Sequence, residues 1–112
     1  MKIYLAIPYS GLEEESFKVA NRIAARLMEQ GHIVFSPISY IHPIAKAGNL
    51  PTTWDYWEKF DKCFIEWCDE IRIVHMHIDG DKRIQNSKGV QAEVKIAGSL
   101  GKPMFYEFDI GE

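Results

Sequence analysis

The chain switches between two periods along its length. Short apolar runs of strand length alternate with stretches whose apolar residues recur every three or four positions. Lys2–Ile7 is apolar almost throughout and stops at Pro8. SGLEEESFKVANRIAARLMEQG follows, with acids in its first turn, Phe17, Ala20, Ala24, Leu27 and Met28 at helical spacing, and Gly31 to close it. His32–Phe35, Ile71–His77 and Pro103–Phe108 read as three further strands. Helices are expected over about Trp54–Cys68, opened by Thr52 and Asp55 as a capping box, and over Gly89–Leu100, closed by Gly101. Strands alternating with helices predict right-handed parallel crossovers. The expected fold is α/β, with a small parallel sheet in a flavodoxin- or Rossmann-like three-layer arrangement, and the 112 residues are expected to form a single domain.

Two segments read as long loops. One is SPISYIHPIAKAGNLP, punctuated by Pro37, Pro43, Gly48 and Pro51; the other is IDGDKRIQNSKG, after the third strand. Long loops in a small domain are usually functional. In parallel sheets, ligands bind beyond the carboxyl ends of the strands. These two loops, with PYSG after the first strand, are where a site is expected.

Composition narrows the function classes. At 46% apolar residues the chain can bury a real core, and its formal charge of −3 comes from mixed acids and bases with no basic stripe. A nucleic-acid polymer is therefore not the expected partner. No apolar run approaches the roughly 20 residues of a membrane span. The two cysteines, Cys63 and Cys68, match neither a C-x-x-C motif nor a disulfide framework, so a cytoplasmic location is expected. GSLGKP is not a P-loop, and no G-x-G-x-x-G follows the first strand.

Two acids lie on the wrong faces of their helices. On a wheel of about 100° per residue, Val90, Val94, Ala97 and Leu100 share one side of the last helix, and Gln91, Lys95 and Ser99 the other. Glu93 falls among the apolar set. A capping box does not explain it, because the residue three positions earlier is Val90. A favourable charge near the helix start explains tolerance of an acid but not its face. The Trp54–Cys68 helix repeats the pattern. Trp54, Trp57, Phe64, Ile65 and Cys68 form an apolar face, Lys59, Lys62 and Glu66 lie opposite, and Asp61 sits within the apolar face. Buried carboxylates are costly and rarely kept without a partner or a task. A pair in one partly apolar cleft suits glycosidic chemistry, in which one attacks the anomeric carbon and the other manages a proton. Ser87, Lys88, Gly89 and Val90 lead into the last helix. Free amides at a helix start attract anions, although Ser is also an ordinary N-cap.

In this order the residues resemble the nucleoside 2-deoxyribosyltransferase superfamily. The marks are IYLA in the first strand, D-x7-D from Asp61 to Asp69, and S-x-G-V-x-x-E from Ser87 to Glu93 ahead of GKP. The wider pattern FSPISYIHPIA, LPTTWDYW, GVQAE and LGKP is similar to a small branch of that superfamily. The resemblance implies Glu93 as a nucleophile that forms a covalent glycosyl–enzyme intermediate. It implies Asp61 as the residue assisting at the base or the sugar, and Tyr4 as the tyrosine that touches the nucleophile. Many transferases acting on free nucleosides carry Asp where this chain has Ser87. The related deoxynucleoside 5′-monophosphate N-glycosidases carry Ser there, and it holds the phosphate. PYSG, however, lacks the Gly-Arg-rich phosphate loop of those hydrolases, which leaves Arg83 or Lys88 to supply charge. No cofactor is implied. In the larger transferases a C-terminal segment reaches a neighbour's active site, so a homo-oligomer is expected. In this shorter chain that segment's part is expected to be missing or taken over by other residues.

Further candidates surround this core. Trp57 is a candidate for stacking on a nucleobase, although Trp54 and Trp57 also suit an ordinary apolar core. Tyr9 is a candidate for touching the base or sugar. His42 is a candidate donor into the cleft, or a hydrogen-bonding surface residue. His75 and His77 lack a third ligand of convincing spacing, so no metal is expected. The expectation is an enzyme acting on a small nucleoside or nucleotide, with Ser87, Gly89 and Val90 holding its 5′ end. A nucleotide-binding sensor without turnover and a ribonucleotide N-glycosidase are the rival readings.

Overall fold

A computed structural model describes residues 1–77 and 79–109. Along the chain run β1 (Lys2–Ala6), α1 (Glu13–Glu29), β2 (Ile33–Phe35), α2 (Pro37–Gly48), α3 (Trp54–Trp67), β3 (Glu70–His75), α4 (Gly80–Asn86), α5 (Lys88–Ser99) and β4 (Met104–Phe108). The strands form one sheet of order β2-β1-β3-β4, parallel throughout. Ile3 and Leu5 face α1 and α2, against Val19, Ile23, Leu27 and Ile41. Tyr4 and Ala6 face the other way, where Ile65 of α3 and Val90 and Ala97 of α5 pack on Ile71 and Ile73. Helices thus cover both faces, and the three-layer α/β expectation holds.

The two helices that feed strands end in the same way. Gly31 and Gly101 have φ of 95° and 70°, values open to glycine without a Cβ clash. Each lets the next residue's N–H reach back into the helix. His32 donates to the Leu27 carbonyl at 3.2 Å, and Lys102 to that of Ala97 at 2.9 Å. These paired closures are Schellman motifs, and they aim the chain at β2 and β4.

The structure corrects the two predicted loops. SPISYIHPIAKAGNLP is largely α2: Pro37 occupies its first turn, where an N–H has no intrahelical partner, and Asn49 ends it in the left-handed region at φ 55°. Pro43 lies inside this helix, with its missing N–H on the exposed side. Ile38, Ile41, His42 and Ala45 fill the buried face. IDGDKRIQNSKG contains the short helix α4, whose first residue, Gly80, lies against the His75 ring. Three smaller expectations also change. Met28 and Leu100 are 53% and 44% exposed and not part of the core. The capping box at Thr52 does not form, because Thr53 is the N-cap of α3 and the Thr52 hydroxyl donates to Glu13 at 3.3 Å.

Candidate active site

A cleft of about 580 Å³ opens beyond the carboxyl ends of the strands, and its walls come from all three segments named for that role. Ile7 to Ser10 follow β1, Ile38 belongs to α2, and Lys82, Arg83 and Asn86 belong to α4. The starts of α3 and α5 complete it.

Asp61 and Glu93 meet at the floor of this cleft. They are 4% and 5% exposed, on two helices packed side by side over the same face of the sheet. Tyr4, fully buried on β1, donates its hydroxyl proton to Glu93 Oε2. Asp61 Oδ1 is buried with no hydrogen-bond partner among the described residues. Burial pushes the Asp61 carboxyl up to about 7, opposed by the neighbouring Tyr4 hydroxyl. Burial, then the charge of Asp61, raises Glu93 well above the usual carboxylate range, and the Tyr4 hydrogen bond works the other way. Burial and the two acids hold the Tyr4 phenol well above its usual value, so it stays a neutral donor. The Tyr4 hydroxyl is within reach of both acids and favours the ionised form of each, against their burial. The charge of Asp61 acts on Glu93, so the two acids titrate as a coupled pair, in which one keeps a proton while the other is ionised.

The remaining predicted site residues divide into those in the cleft and those behind it. Tyr9, Trp57, Ser87 and Gly89 line the cleft. Trp57 is also a core residue: it is 5% exposed, and its indole N–H donates to the Pro51 carbonyl at 2.7 Å. Ser87 is the N-cap of α5, with its Oγ accepting from the Val90 N–H at 3.1 Å. Its own hydroxyl proton stays available, but the Val90 amide is taken, and Val90 lies in the core and not on the cleft wall. His42 is not a cleft residue either. It is 4% exposed within α2, behind Tyr9. Its place on the buried face of a helix, which prolines hid from the sequence pattern, turns it inward.

Arg83 and Lys88 both line the cleft, but each already has an anion. Arg83 pairs with Glu15 at 3.1 Å and Lys88 with Asp55 at 3.0 Å. Sequence reasoning missed Lys82, Asn86 and Asp55 on the wall. Lys82 and Asn86 are four residues apart, a one-face helical spacing that a helix assignment for this segment would have revealed. His75 bonds Asp81 at 2.8 Å and His77 bonds Asp109 at 3.1 Å. Among the described residues no three His, Cys, Asp or Glu side chains gather to hold a metal.

A three-layer parallel α/β fold with two buried acids at the strand ends places this chain in the nucleoside 2-deoxyribosyltransferase superfamily. Within it, the chain belongs to the family described as Domain of unknown function (DUF1937), which matches residues 1–108. Among solved structures it is similar to a 2-deoxyribosyltransferase from the psychrotolerant bacterium Bacillus psychrosaccharolyticus. Identity is 28% and the TM-score 0.68, over 100% of this chain and 75% of the other. No curated protein matches the chain significantly. No helix among the described residues is long and apolar enough to cross a membrane.

Proposed function

We propose that this protein cleaves the N-glycosidic bond of a 2′-deoxynucleoside or its 5′-monophosphate through a covalent intermediate on Glu93. The observation that carries this reading is the Tyr4–Glu93–Asp61 group: two buried acids in one cleft, with the Tyr4 hydroxyl donating a hydrogen bond to Glu93. The likeness to a 2-deoxyribosyltransferase supports nucleoside chemistry at the level of the family.

Glu93 attacks C1′ as its carboxylate, and the bond from C1′ to the base nitrogen breaks. The bonding electrons leave with the base, which takes a proton from Asp61. The glycosyl–Glu93 ester is then opened at C1′ by a second base or by water, whose proton returns to Asp61. Tyr4 holds Glu93 in line. Tyr9 and Trp57 bound the space for the base. The Ser87 hydroxyl and the Gly89 amide hold the 5′ end, with Lys82 on the same cleft to favour an anion. Transfer or hydrolysis follows from how well the closed site excludes water. The assembly is proposed as a homo-oligomer, which sedimentation velocity over a range of concentrations would test. A purely monomeric profile would reject it.

The test is a chromatographic assay with each deoxynucleoside and deoxynucleoside monophosphate, with and without a second free base. Glu93→Gln is expected to lower base release by at least about a thousandfold. Exchange of bases would mark a transferase, and release without exchange a hydrolase. Release that survives in Glu93→Gln would reject Glu93 as nucleophile. Tight binding of monophosphates without any release would favour a sensor.

A further inference from the structure

Behind the cleft wall lies a relay that the chemistry above does not use. The Tyr9 hydroxyl lies 2.8 Å from His42 Nδ1, and His42 Nε2 lies 3.0 Å from Glu14 Oε2. Glu14 is held in turn by Lys46 at 3.1 Å. The His42 ring is clamped against Phe17, with centroids 4.5 Å apart, and meets the Tyr9 ring edge-on at 5.8 Å. Tyr9 itself is 8% exposed and lines the cleft.

Donor and acceptor roles follow from chemistry. An ionised carboxylate only accepts, so the proton on His42 sits on Nε2, facing Glu14. Lys46, first, and then His42 hold the Glu14 carboxyl below its usual range, in keeping with an ionised acceptor. A neutral imidazole protonated on Nε2 carries a lone pair on Nδ1. With the imidazole neutral, the Tyr9 hydroxyl is the donor, and its proton points away from the cleft into α2.

We infer that His42 is a positioning residue for Tyr9: the Glu14–His42 pair locks the tyrosine ring as a fixed wall of the cleft and withholds its hydroxyl proton from the ligand. The inference rests on the nucleoside reading of the cleft and deepens it. A tyrosine held in this way offers the substrate a ring surface. A ring accepts the face of any base and selects little by hydrogen bonding. Discrimination among bases then falls to other side chains of the cleft.

Two experiments test this, and one needs no substrate. In a long-range proton–nitrogen NMR spectrum, His42 is expected as the Nε2–H tautomer, with its Nδ1 resonance shifting in Tyr9→Phe. The opposite tautomer, or an Nδ1 signal indifferent to Tyr9→Phe, would overturn the inference whatever the protein's substrate. The second is a kinetic cycle on the deoxynucleoside that the wild type turns over. His42→Ala and Tyr9→Phe are each expected to raise KM about three- to tenfold, the effect of one hydrogen bond, with kcat within about twofold. The double variant is expected to be no worse than His42→Ala, and His42→Asn, which restores an acceptor near Nδ1, should recover most of the loss. Effects that multiply in the double variant, or a fall in kcat in Tyr9→Phe alone, would overturn it. Should His42→Ala fail to fold, Tyr9→Phe and His42→Asn still decide. A wild type that releases no base from any substrate would reject the proposed function and leave the tautomer result standing.

Discussion

Asp61 holds the most informative imbalance in the molecule, a buried carboxylate with an oxygen unpartnered among the described residues. Its raised value of about 7 has consequences for both stability and rate. Between its ordinary value near 4 and about 7, the folded chain binds a proton that the unfolded chain has lost, so stability falls as pH rises through that window. Asp61→Asn is therefore expected to be more stable than the wild type by a few kcal/mol above pH 7, with no gain below pH 4. Urea unfolding at several pH values measures this. The same variant should lose about 10²- to 10⁴-fold in kcat, the usual worth of a positioned proton donor. The wild-type rate should follow a bell in pH around and above about pH 7, with limbs that belong to the coupled Asp61–Glu93 pair and not to either acid alone. A flat profile through that region, or an undiminished Asp61→Asn enzyme, would remove Asp61 from the acid role. Both acids are visible in the sequence because a charge breaks the wheel of an otherwise apolar helix face. His42 is not legible in that way, because nothing in YIHPIA announces which way a histidine turns until the helix carrying it is known.

α2 and α4 show where a sequence pattern misleads. Prolines normally end helices, but Pro37 stands where no N–H is needed, and Pro43 leaves its gap on the exposed side of α2. The spacing Ile38, Ile41, His42, Ala45 is present in the sequence, masked by breakers that do not break it. Pro43→Ala restores the N–H that the turn lacks and should stabilise the protein by about 1–2 kcal/mol, the helix gain less the freedom returned to the unfolded chain. A lowered melting temperature would mean that Pro43 bends α2 to a needed shape. By contrast, Gly101→Ala should cost about 1 kcal/mol, because it forces a side chain into φ of 70°. That variant lies at the far end of α5 from Glu93, and its KM and kcat should match the wild type.

At the scale of the whole molecule, strand–helix alternation gave the layers correctly, since a parallel strand buried on both faces has no other way to be covered. It did not give exposure. Met104, Phe105, Tyr106 and Phe108 belong to the strand expected at Pro103–Phe108, yet they are 43–56% exposed, because β4 stands at the edge of the sheet. The site sits at the opposite extreme. Tyr4, which holds Glu93, lies on β1 between β2 and β3, with no solvent exposure. Interior strands exchange their amide hydrogens only when the whole fold opens. The Leu5 amide, next to Tyr4, should therefore be among the slowest to exchange, at the rate set by global opening. The floor of the cleft then has no partly melted form in which the acids come loose while the protein survives. On slow heating, the curve of lost turnover and the curve of lost tertiary signal should superimpose, and a chilled sample should regain both together.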